Sequence, residues 1–472
     1  MKQMPKVSRN YENPLPPQRL TRWHVITVVL LFLGYFGYYF CRSDYSVALP
    51  LILAEQVRKG TPANLAQIRL GSIASWGVLA YALGKFPSGG LADRFGGRRN
   101  FIAGMLGAIL FTLLFMLGGG FPVFTLAWLG NRLVQSLGWP GLVKVTGRWF
   151  SYTTYGSVMG LLSLSYLFGD AVSRGIMSLL LAHGVGWRGL FAAGAGLLSL
   201  ILLANLIFLR ESPESHHLPP PAENPLNLFS GASPTAGKES SKDSVLTDFA
   251  NSDANSGSTA TIFGTLLRSY AFWLVCGLSL GTTLLRETFN LWTPTYFTQQ
   301  VGLTNAQAAS GSALFPFFGG FSVLLAGFFS DRFGAEGRSR ILLGGLCCSV
   351  FALLGLAGVP VHGPRFVPLA LVAAVAFCLL GPYSYLAGAM ALDFGGKEGS
   401  ATAAGLIDGF GYLAGVLSGN AMAHLAVSYG WQKMFLVLAG VAILTSVVGG
   451  LSLWQQHRRA LAIGLLRPVL EL

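Results

Sequence analysis

The chain has 472 residues, of which 52% are hydrophobic and only 11% are charged. A soluble domain usually carries about 25% charged residues, so the composition excludes an ordinary soluble protein and indicates that a lipid bilayer surrounds most of the chain. The net charge of +13 could suggest a nucleic-acid-binding protein. However, Lys and Arg cluster in short segments between apolar runs and form no basic face, so we expect no nucleic-acid partner.

Apolar runs long enough to cross a bilayer recur along the chain, since a membrane-spanning helix needs roughly 20 apolar residues. We expect an all-α membrane protein with twelve spans. Their predicted bounds are 24–53, 66–92, 99–119, 122–147, 153–183, 188–209, 264–299, 305–330, 339–360, 365–392, 400–427 and 432–455.

The segments between the spans alternate in charge. DRFGGRR (93–99) and DRFGAEGRSR (331–340) are basic, whereas GGGFP and QQVGLTN on the opposite side have no Lys or Arg. Basic segments remain in the cytoplasm. We therefore expect a multi-pass protein of the cell inner (plasma) membrane with both termini in the cytoplasm.

Residues 211–262 are rich in Ser, Pro, Asn and Gly and cannot bury enough apolar surface to fold, which predicts a disordered cytoplasmic linker. The linker separates two six-helix bundles. The predicted organisation is a cytoplasmic N-terminal arm (1–23), an N-terminal bundle (24–210), the linker, a C-terminal bundle (263–456) and a cytoplasmic tail (457–472).

The two halves repeat each other. SGGLADRFGGRR reappears as AGFFSDRFGAEGRSR, with an offset of 331 − 93 = 238, and LAHGVGWRGLF reappears as LAVSYGWQKMF, with an offset of 431 − 187 = 244. A duplicated six-helix unit is typical of transporters whose substrate site lies at the repeat interface near the membrane midplane. The sequence therefore predicts a secondary transporter.

The D-R-F-G motif after the second span, repeated after the eighth, resembles the loop motif of the major facilitator superfamily. The resemblance covers nearly the whole chain except the linker. It implies that the charged residues of the two loops pair across helix ends and hold one conformation of the transport cycle. These gating candidates are Asp93, Arg94, Arg98, Asp331 and Arg332.

Ionisable residues inside the predicted spans are the most informative, because each is costly unless it faces a cavity or a partner. They are Arg42, Asp44, Lys85, Arg132, Lys144, Asp170, Arg174, Arg286, Glu287 and Asp408. Arg42 and Arg286 lie on the first helix of each half, and Lys85 joins them in a pseudo-symmetric cationic centre. A guanidinium binds phosphate oxygens bidentately, so a dianionic phosphate monoester suits this centre.

Polar side chains accompany these cations. Tyr35, Tyr39 and Arg42 fall at i, i+4 and i+7 and therefore share one helix face. Tyr81 precedes the lysine by one turn, and Asn290 follows the second arginine by one turn. Phenol hydroxyl groups can donate the remaining hydrogen bonds to phosphate.

The alternative is that each arginine is neutralised by the acid that follows it, Asp44 or Glu287. Residues at i+1 or i+2 point to a different helix face, so we expect neither pair to form well. Asp170 and Arg174 are four residues apart and can pair with each other.

Four segments, YYFCRSDYSVALP, AYALGKFPSGGLADR, LVQSLGWPGLVKVTGRWF and LLRETFNLWTPTYF, resemble the organophosphate:phosphate antiporters. That family includes glycerol-3-phosphate, hexose-phosphate and glucose-6-phosphate transporters. The resemblance implies a non-enzymatic monomer, without cofactor or metal, that exchanges a sugar phosphate or glycerol phosphate for inorganic phosphate by alternating access. It implies that Arg42 and Arg286 bind the phosphate. The other implied contacts are Lys85, Tyr35, Tyr39, Tyr81 and the GWP segment containing Trp139.

Three positions depart from this family. Ser43 stands where the family commonly has Lys, Leu291 replaces an Asp of its glycerol-phosphate branch, and Tyr166 replaces a His of the fifth helix. We include Tyr166 among the candidate substrate contacts. The joint loss of the Lys and of an acid that could balance it indicates rewired internal ion pairs, so substrate identity and strict exchange stay open.

Two other functions remain open. The first is a proton-coupled symporter of sugar acids or other organic anions, which the segments Arg42–Pro50 and Trp292–Tyr296 also resemble. Its coupling acid would be one of Asp44, Asp170, Glu287 and Asp408. The second is a transporter-like sensor of sugar phosphate. An enzyme is not expected, because the sequence has no P-loop, zinc-ligand spacing or G-x-S-x-G motif.

Overall fold

The computed structural model describes residues 20–221 and 266–462, without the side chains of 93, 152, 153, 156, 330–336, 389, 392–402 and 459–462. These residues are almost entirely helical, and the described part contains no β-strand. In lipid a helix satisfies its own backbone hydrogen bonds, which explains why long apolar runs adopt it. The all-α prediction is confirmed.

Each half of the described chain is a series of helices joined by short connections. The N-terminal half contains α1 (Arg22–Arg58), α2 (Ala63–Phe95), α3 (Gly97–Leu117), α4 (Phe121–Gln135), α5 (Gly138–Trp149), α6 (Tyr152–Ala182), α7 (Trp187–Phe208) and a 3₁₀ turn (Pro213–His216). The C-terminal half contains α8 (Tyr270–Gln299), α9 (Asn305–Ser312), α10 (Leu314–Ala357), α11 (Phe366–Tyr385), a π turn (Leu386–Met390), α12 (Ala391–Gly415), a 3₁₀ turn (Val416–Ser418) and α13 (Asn420–Ala462).

Eight helical stretches of the described chain are long and apolar enough to cross a membrane. They are Arg22–Arg58, Gly97–Leu117, Ser157–Ala182, Trp187–Phe208, Asn305–Phe329, Gly337–Ala357, Phe366–Gly388 and Ala403–Arg458. Many large apolar side chains on these helices point outward, among them Leu110, Leu200 and Phe351. An outer surface of this kind is expected where lipid replaces water as the solvent.

The predicted spans differ from the helices at several places, of which three bear on the architecture. The fourth predicted span is two short helices, α4 and α5, separated by a turn at residues 136 and 137. Proline fits the first turn of a helix, so Pro140 allows α5 to start anew. α10 continues through the predicted loop 331–340. α13 combines two predicted spans across a bend at Gly430, whose φ of 84° is left-handed.

The start of the predicted linker is folded onto the N-terminal half. The two carboxylate oxygens of Glu211 accept hydrogen bonds from the backbone N–H groups of Gly97 and Arg98, the first two residues of α3, with N–O distances of 2.8 and 2.7 Å. A carboxylate at this place satisfies free donors and the positive end of the helix dipole. The His216 ring stacks on Trp23 at 3.6 Å between centroids. The predicted boundary at 211 thus falls within a segment that packs on the N-terminal half, and residues 222–262 lie outside the described part.

The two halves meet at the end of the molecule where α1 ends and α2 begins, which we call the joined end. Here Ser46 donates to the Asn290 carbonyl at 2.7 Å, and Ser178 donates to the Ala306 carbonyl at 2.7 Å. α2 also packs closely on α13: a Cβ on Gly71 would lie 2.7 Å from the Ala423 Cβ. Small residues allow such close packing of helices in membranes.

Candidate substrate-binding site

A cavity of about 840 Å³, part of it open to solvent, lies between the two halves. We call it the central cavity. Its lining comes from α1, α2, α4 and α6 of the N-terminal half and from α8, α11 and the turn after α12 of the C-terminal half. Its charged lining residues are Arg42, Arg132, Asp170, Arg174, Arg286 and Glu287.

Arg42 enters the cavity at a kink of α1. Cys41, directly before it, has non-helical backbone angles, and its carbonyl accepts a hydrogen bond from the Gln135 side chain at 2.9 Å. Insertion of a side chain into the helical ladder explains the kink. The guanidinium carbon lies 5.3 and 4.6 Å from the ring centroids of Tyr39 and Tyr81. Among the described residues, Arg42 has no ion pair.

Arg286 is surrounded differently. Its Nη2 donates to Glu287 Oε1 at 2.7 Å and to the Tyr412 hydroxyl at 2.9 Å, and its guanidinium carbon lies 4.7 Å from the Tyr383 ring centroid. The expectation that neighbouring residues 286 and 287 would pair poorly is wrong. The guanidinium arm is long enough to reach around the helix, and both side chains line the same cavity.

Arg132 on α4 is a cavity residue to which the sequence assigned no substrate role. Its side chain is 4% exposed, its guanidinium carbon lies 4.9 Å from the Tyr81 ring centroid, and its Nη2 lies 4.0 Å from Glu287 Oε2. A signal was available, because an arginine inside a predicted span marks a functional site by default. Tyr383 and Tyr412 were also missed, and nothing in their apolar segments distinguishes them.

Lys85 contacts the other half of the molecule. It forms an ion pair with Asp408, which joins α2 to α12. Its ammonium nitrogen lies 4.6 Å from the Tyr412 ring centroid and 5.2 Å from that of Tyr81. The lysine is therefore beside the arginines, as expected, but it is neutralised across the interface.

The remaining predicted contacts form a row of rings. Tyr39 and Tyr166 line the central cavity with their centroids 6.1 Å apart, and Asn290 lines it from α8. Tyr35 lies 6.0 Å from Tyr39, and Trp139 lies 5.2 Å from Tyr35. The last two are therefore behind the lining and support it.

The pair expected between Asp170 and Arg174 is present at 2.7 Å. Ser43, which replaces the family's Lys, donates to the same Asp170 oxygen at 2.5 Å. Arg174 also donates to the Asn290 carbonyl at 2.9 Å and to the Ser312 hydroxyl at 3.1 Å. One oxygen of this acid is thus held by two donors, and its arginine ties the two halves together.

Asp44 is completely buried and is not among the residues that line the cavity. One oxygen accepts the Tyr45 backbone N–H at 2.7 Å, and the other has no hydrogen-bond partner within the described chain. As expected, Asp44 forms no ion pair with Arg42 in the described part.

Of the gating candidates, Arg98 binds within its own half. It donates to two carbonyls at the C-terminal end of α7, at 2.6 and 2.8 Å. Arg94 lies over the neighbouring Phe95 ring at 5.5 Å. The side chains of Asp93, Asp331 and Arg332 lie outside the described residues, so their gating role stays a prediction.

A helical, multi-pass arrangement with a charged cavity between two repeated halves defines a membrane transporter rather than an enzyme. The sequence matches the model of the Major Facilitator Superfamily over residues 31–419, and the chain belongs to this family. Its fold is similar to the crystal structure of a D-xylose-proton symporter, with a TM-score of 0.65 and 14% identity, covering 90% of this chain and 97% of that one.

Curated relatives carry more specific names. The chain is 25% identical to a probable hexose phosphate transport protein of Chlamydia muridarum, over 94% of both chains. It is 25% identical to a glycerol-3-phosphate transporter of Bacillus subtilis, over 91% and 92%. It is also 25% identical to the membrane sensor protein UhpC of Salmonella typhimurium, over 91% of both. These names confirm the resemblance found in the sequence.

Proposed function

We propose that this protein is a secondary active transporter that exchanges a sugar phosphate or glycerol phosphate for inorganic phosphate by alternating access. The observation that carries the proposal is that Arg42 of one half and Arg286 of the other line one cavity. Each guanidinium offers the planar pair of donors that binds two phosphate oxygens. The names of the relatives agree with this substrate class.

The charge of the cavity supports a doubly charged substrate. Its described lining holds four arginines and two carboxylates, which gives a formal charge of +2. A phosphate monoester dianion balances this charge, whereas a monocarboxylate leaves one positive charge uncompensated inside the membrane. This difference favours an organophosphate over a sugar acid.

Alternating access follows from the placement of the arginines on opposite halves. An anion between them attracts both, and this attraction favours rocking of one half against the other. The contacts that Arg174 and Ser46 make at the joined end would then break as that end opens. We assign Tyr39, Tyr166 and Asn290, which line the cavity, to direct substrate contact. Lys85, Tyr35, Tyr81 and Trp139 support the site from behind this lining.

The remaining features of the proposal concern topology and gating. We place both termini in the cytoplasm of a cell with the protein in its inner (plasma) membrane, and we propose a functional monomer. The joined end is then the extracytoplasmic one. The two D-R-F-G loops act as the cytoplasmic gate.

The test is exchange of labelled phosphate in proteoliposomes against a panel of unlabelled organophosphates and sugar acids. Arg42→Lys and Arg286→Lys should each reduce exchange to the background, because an ammonium lacks the forked donor pair. Arg58→Lys is the matched control, since this arginine is exposed at the end of the same helix as Arg42. Near-normal exchange in both cavity variants contradicts the proposal, and uptake of sugar acids driven by a proton gradient favours the symporter.

A second candidate function is sensing, and the similarity to a membrane sensor protein favours it. A sensor would keep the cationic cavity but bind without turnover. Phosphate or sugar-phosphate binding to the purified protein, combined with the absence of any exchange in proteoliposomes, would identify a sensor.

A further inference from the structure

We infer that Glu287 serves as a built-in counter-anion that lets the unloaded carrier close, so that this protein also performs net transport of its anion without exchange. The inference rests on the proposed function, because it concerns how the same cavity behaves when it is empty. It assigns Glu287 a role in the choice between exchange and net transport.

The geometry places the Glu287 carboxylate between arginines of opposite halves. Oε1 lies 2.7 Å from Arg286 Nη2 in the C-terminal half, and Oε2 lies 4.0 Å from Arg132 Nη2 in the N-terminal half. The Glu287 side chain is 9% exposed and lines the central cavity. A carboxylate that reaches both guanidinium groups occupies the kind of position that substrate oxygens would take.

The three other candidate coupling acids are not placed to do this. Asp170 is engaged by Arg174 and Ser43, and Asp408 neutralises Lys85 outside the cavity lining. Asp44 has no ion pair within the described part and does not line the cavity. Glu287 is thus the described acid that faces the arginines of both halves.

This placement bears on the mode of transport. In a strict exchanger the empty site holds like charges on opposite halves, and their repulsion keeps the unloaded carrier from closing. A carboxylate between Arg132 and Arg286 reduces that repulsion when no substrate is present. A ligand shifts a conformational equilibrium only when it binds one of the two states more tightly than the other. Because the Glu287 carboxylate is an anion attached to the chain, it provides such a difference even when no substrate is bound. The carrier can therefore change conformation without a bound substrate, and this produces net transport of the anion.

The experiment compares net efflux with exchange in one preparation. Proteoliposomes loaded with labelled phosphate are diluted into buffer with or without external phosphate, with potassium and valinomycin present to prevent a membrane potential. We expect wild-type net efflux well above that of protein-free liposomes. In Glu287→Gln the ratio of net efflux to exchange should fall by about tenfold or more, because the empty site gains a positive charge.

Two further variants serve as controls for the effect of Glu287→Gln on this ratio. Glu287→Asp keeps the charge on a shorter arm and should lower the ratio less than Glu287→Gln. Glu214→Gln removes an exposed glutamate of the 3₁₀ turn Pro213–His216 and should leave the ratio unchanged. In detergent, Glu287→Gln should also bind inorganic phosphate more tightly than the wild type, because a competing anion is gone.

The outcomes separate the two claims. Wild-type exchange with net efflux no faster than in protein-free liposomes overturns the inference, and so does an unchanged ratio in Glu287→Gln. If Glu287→Gln does not fold, the wild-type measurement alone tests the inference. Complete absence of phosphate exchange in the wild type refutes the proposed function instead.

Discussion

Arg42 and Arg286 lie on the first helix of their respective halves and line the same cavity, but their surroundings differ. Arg42 lies against the rings of Tyr39 and Tyr81 and has no ion pair among the described residues. Arg286 is held by Glu287 at 2.7 Å and by Tyr412 at 2.9 Å. The repeat has thus kept the position of the cation in both halves while changing its electrostatic partner.

A pseudo-symmetric site therefore need not be symmetric in charge. An arginine among aromatic rings keeps all its charge for an incoming anion, since ring faces attract a cation without neutralising it. An arginine paired with a carboxylate must exchange that partner for the substrate. Within the described part, Arg42 is therefore available to an incoming anion at once, whereas Arg286 must first release Glu287.

The different partners of the two arginines should affect stability most strongly. Arg286→Gln leaves Glu287 without its 2.7 Å partner, and removal of one member of a buried pair costs about 3–5 kcal/mol. Because water can reach part of this cavity, we expect about 2–4 kcal/mol. Arg42→Gln removes an unpaired charge and should change the unfolding free energy by less than about 1 kcal/mol. Thermal unfolding in detergent measures both.

A double variant is the control for that result. Arg286→Gln with Glu287→Gln removes both charges and should recover more than half of the lost stability, since no unpaired carboxylate remains. Equal losses in Arg42→Gln and Arg286→Gln would mean that the two arginines are not differently partnered.

The sequence predicted the positions of the cavity cations better than their partners. Arg42 and Arg286 were placed together because an intramembrane charge is conspicuous and the repeat relates the first helix of each half. The pairing of Arg286 with Glu287 was missed, because residue spacing gives an angle around the helix and not the reach of a long side chain into a cavity. The Lys85–Asp408 pair joins residues 323 apart, and no local pattern predicts such a contact.

For the fold, too, the sequence predicted local features better than contacts between distant segments. Hydrophobic runs predicted the helices, because lipid imposes the same requirement on every span. The break between α4 and α5 and the ordering of Glu211 on α3 depend on contacts between distant segments, which hydropathy does not contain.

An intermediate effect on phosphate exchange is expected at Arg132, whose surroundings combine those of Arg42 and Arg286. It contacts the Tyr81 ring, like Arg42, and it faces Glu287 at 4.0 Å, like Arg286. Arg132→Gln should raise the KM for phosphate exchange by about tenfold, the effect of losing one charge-assisted contact of about 1.4 kcal/mol. Arg69→Gln, an exposed arginine near the start of α2, is the control and should leave the KM unaltered. An unchanged KM in Arg132→Gln would remove this arginine from the site.

The smallest expected effect concerns the hydroxyl group that helps to hold Arg286. Tyr412→Phe removes the 2.9 Å hydrogen bond but keeps the ring, whose centroid lies 5.6 Å from the guanidinium carbon. Because Glu287 still holds Arg286, the loss of this hydrogen bond should cost only about 0.7–1.4 kcal/mol and lower phosphate exchange by about three- to tenfold. Tyr429→Phe, on an exposed tyrosine, provides the matched baseline. If Tyr412→Phe exchanged phosphate at the wild-type rate, Glu287 alone would position Arg286, and the asymmetry between the two arginines would rest on a single ion pair.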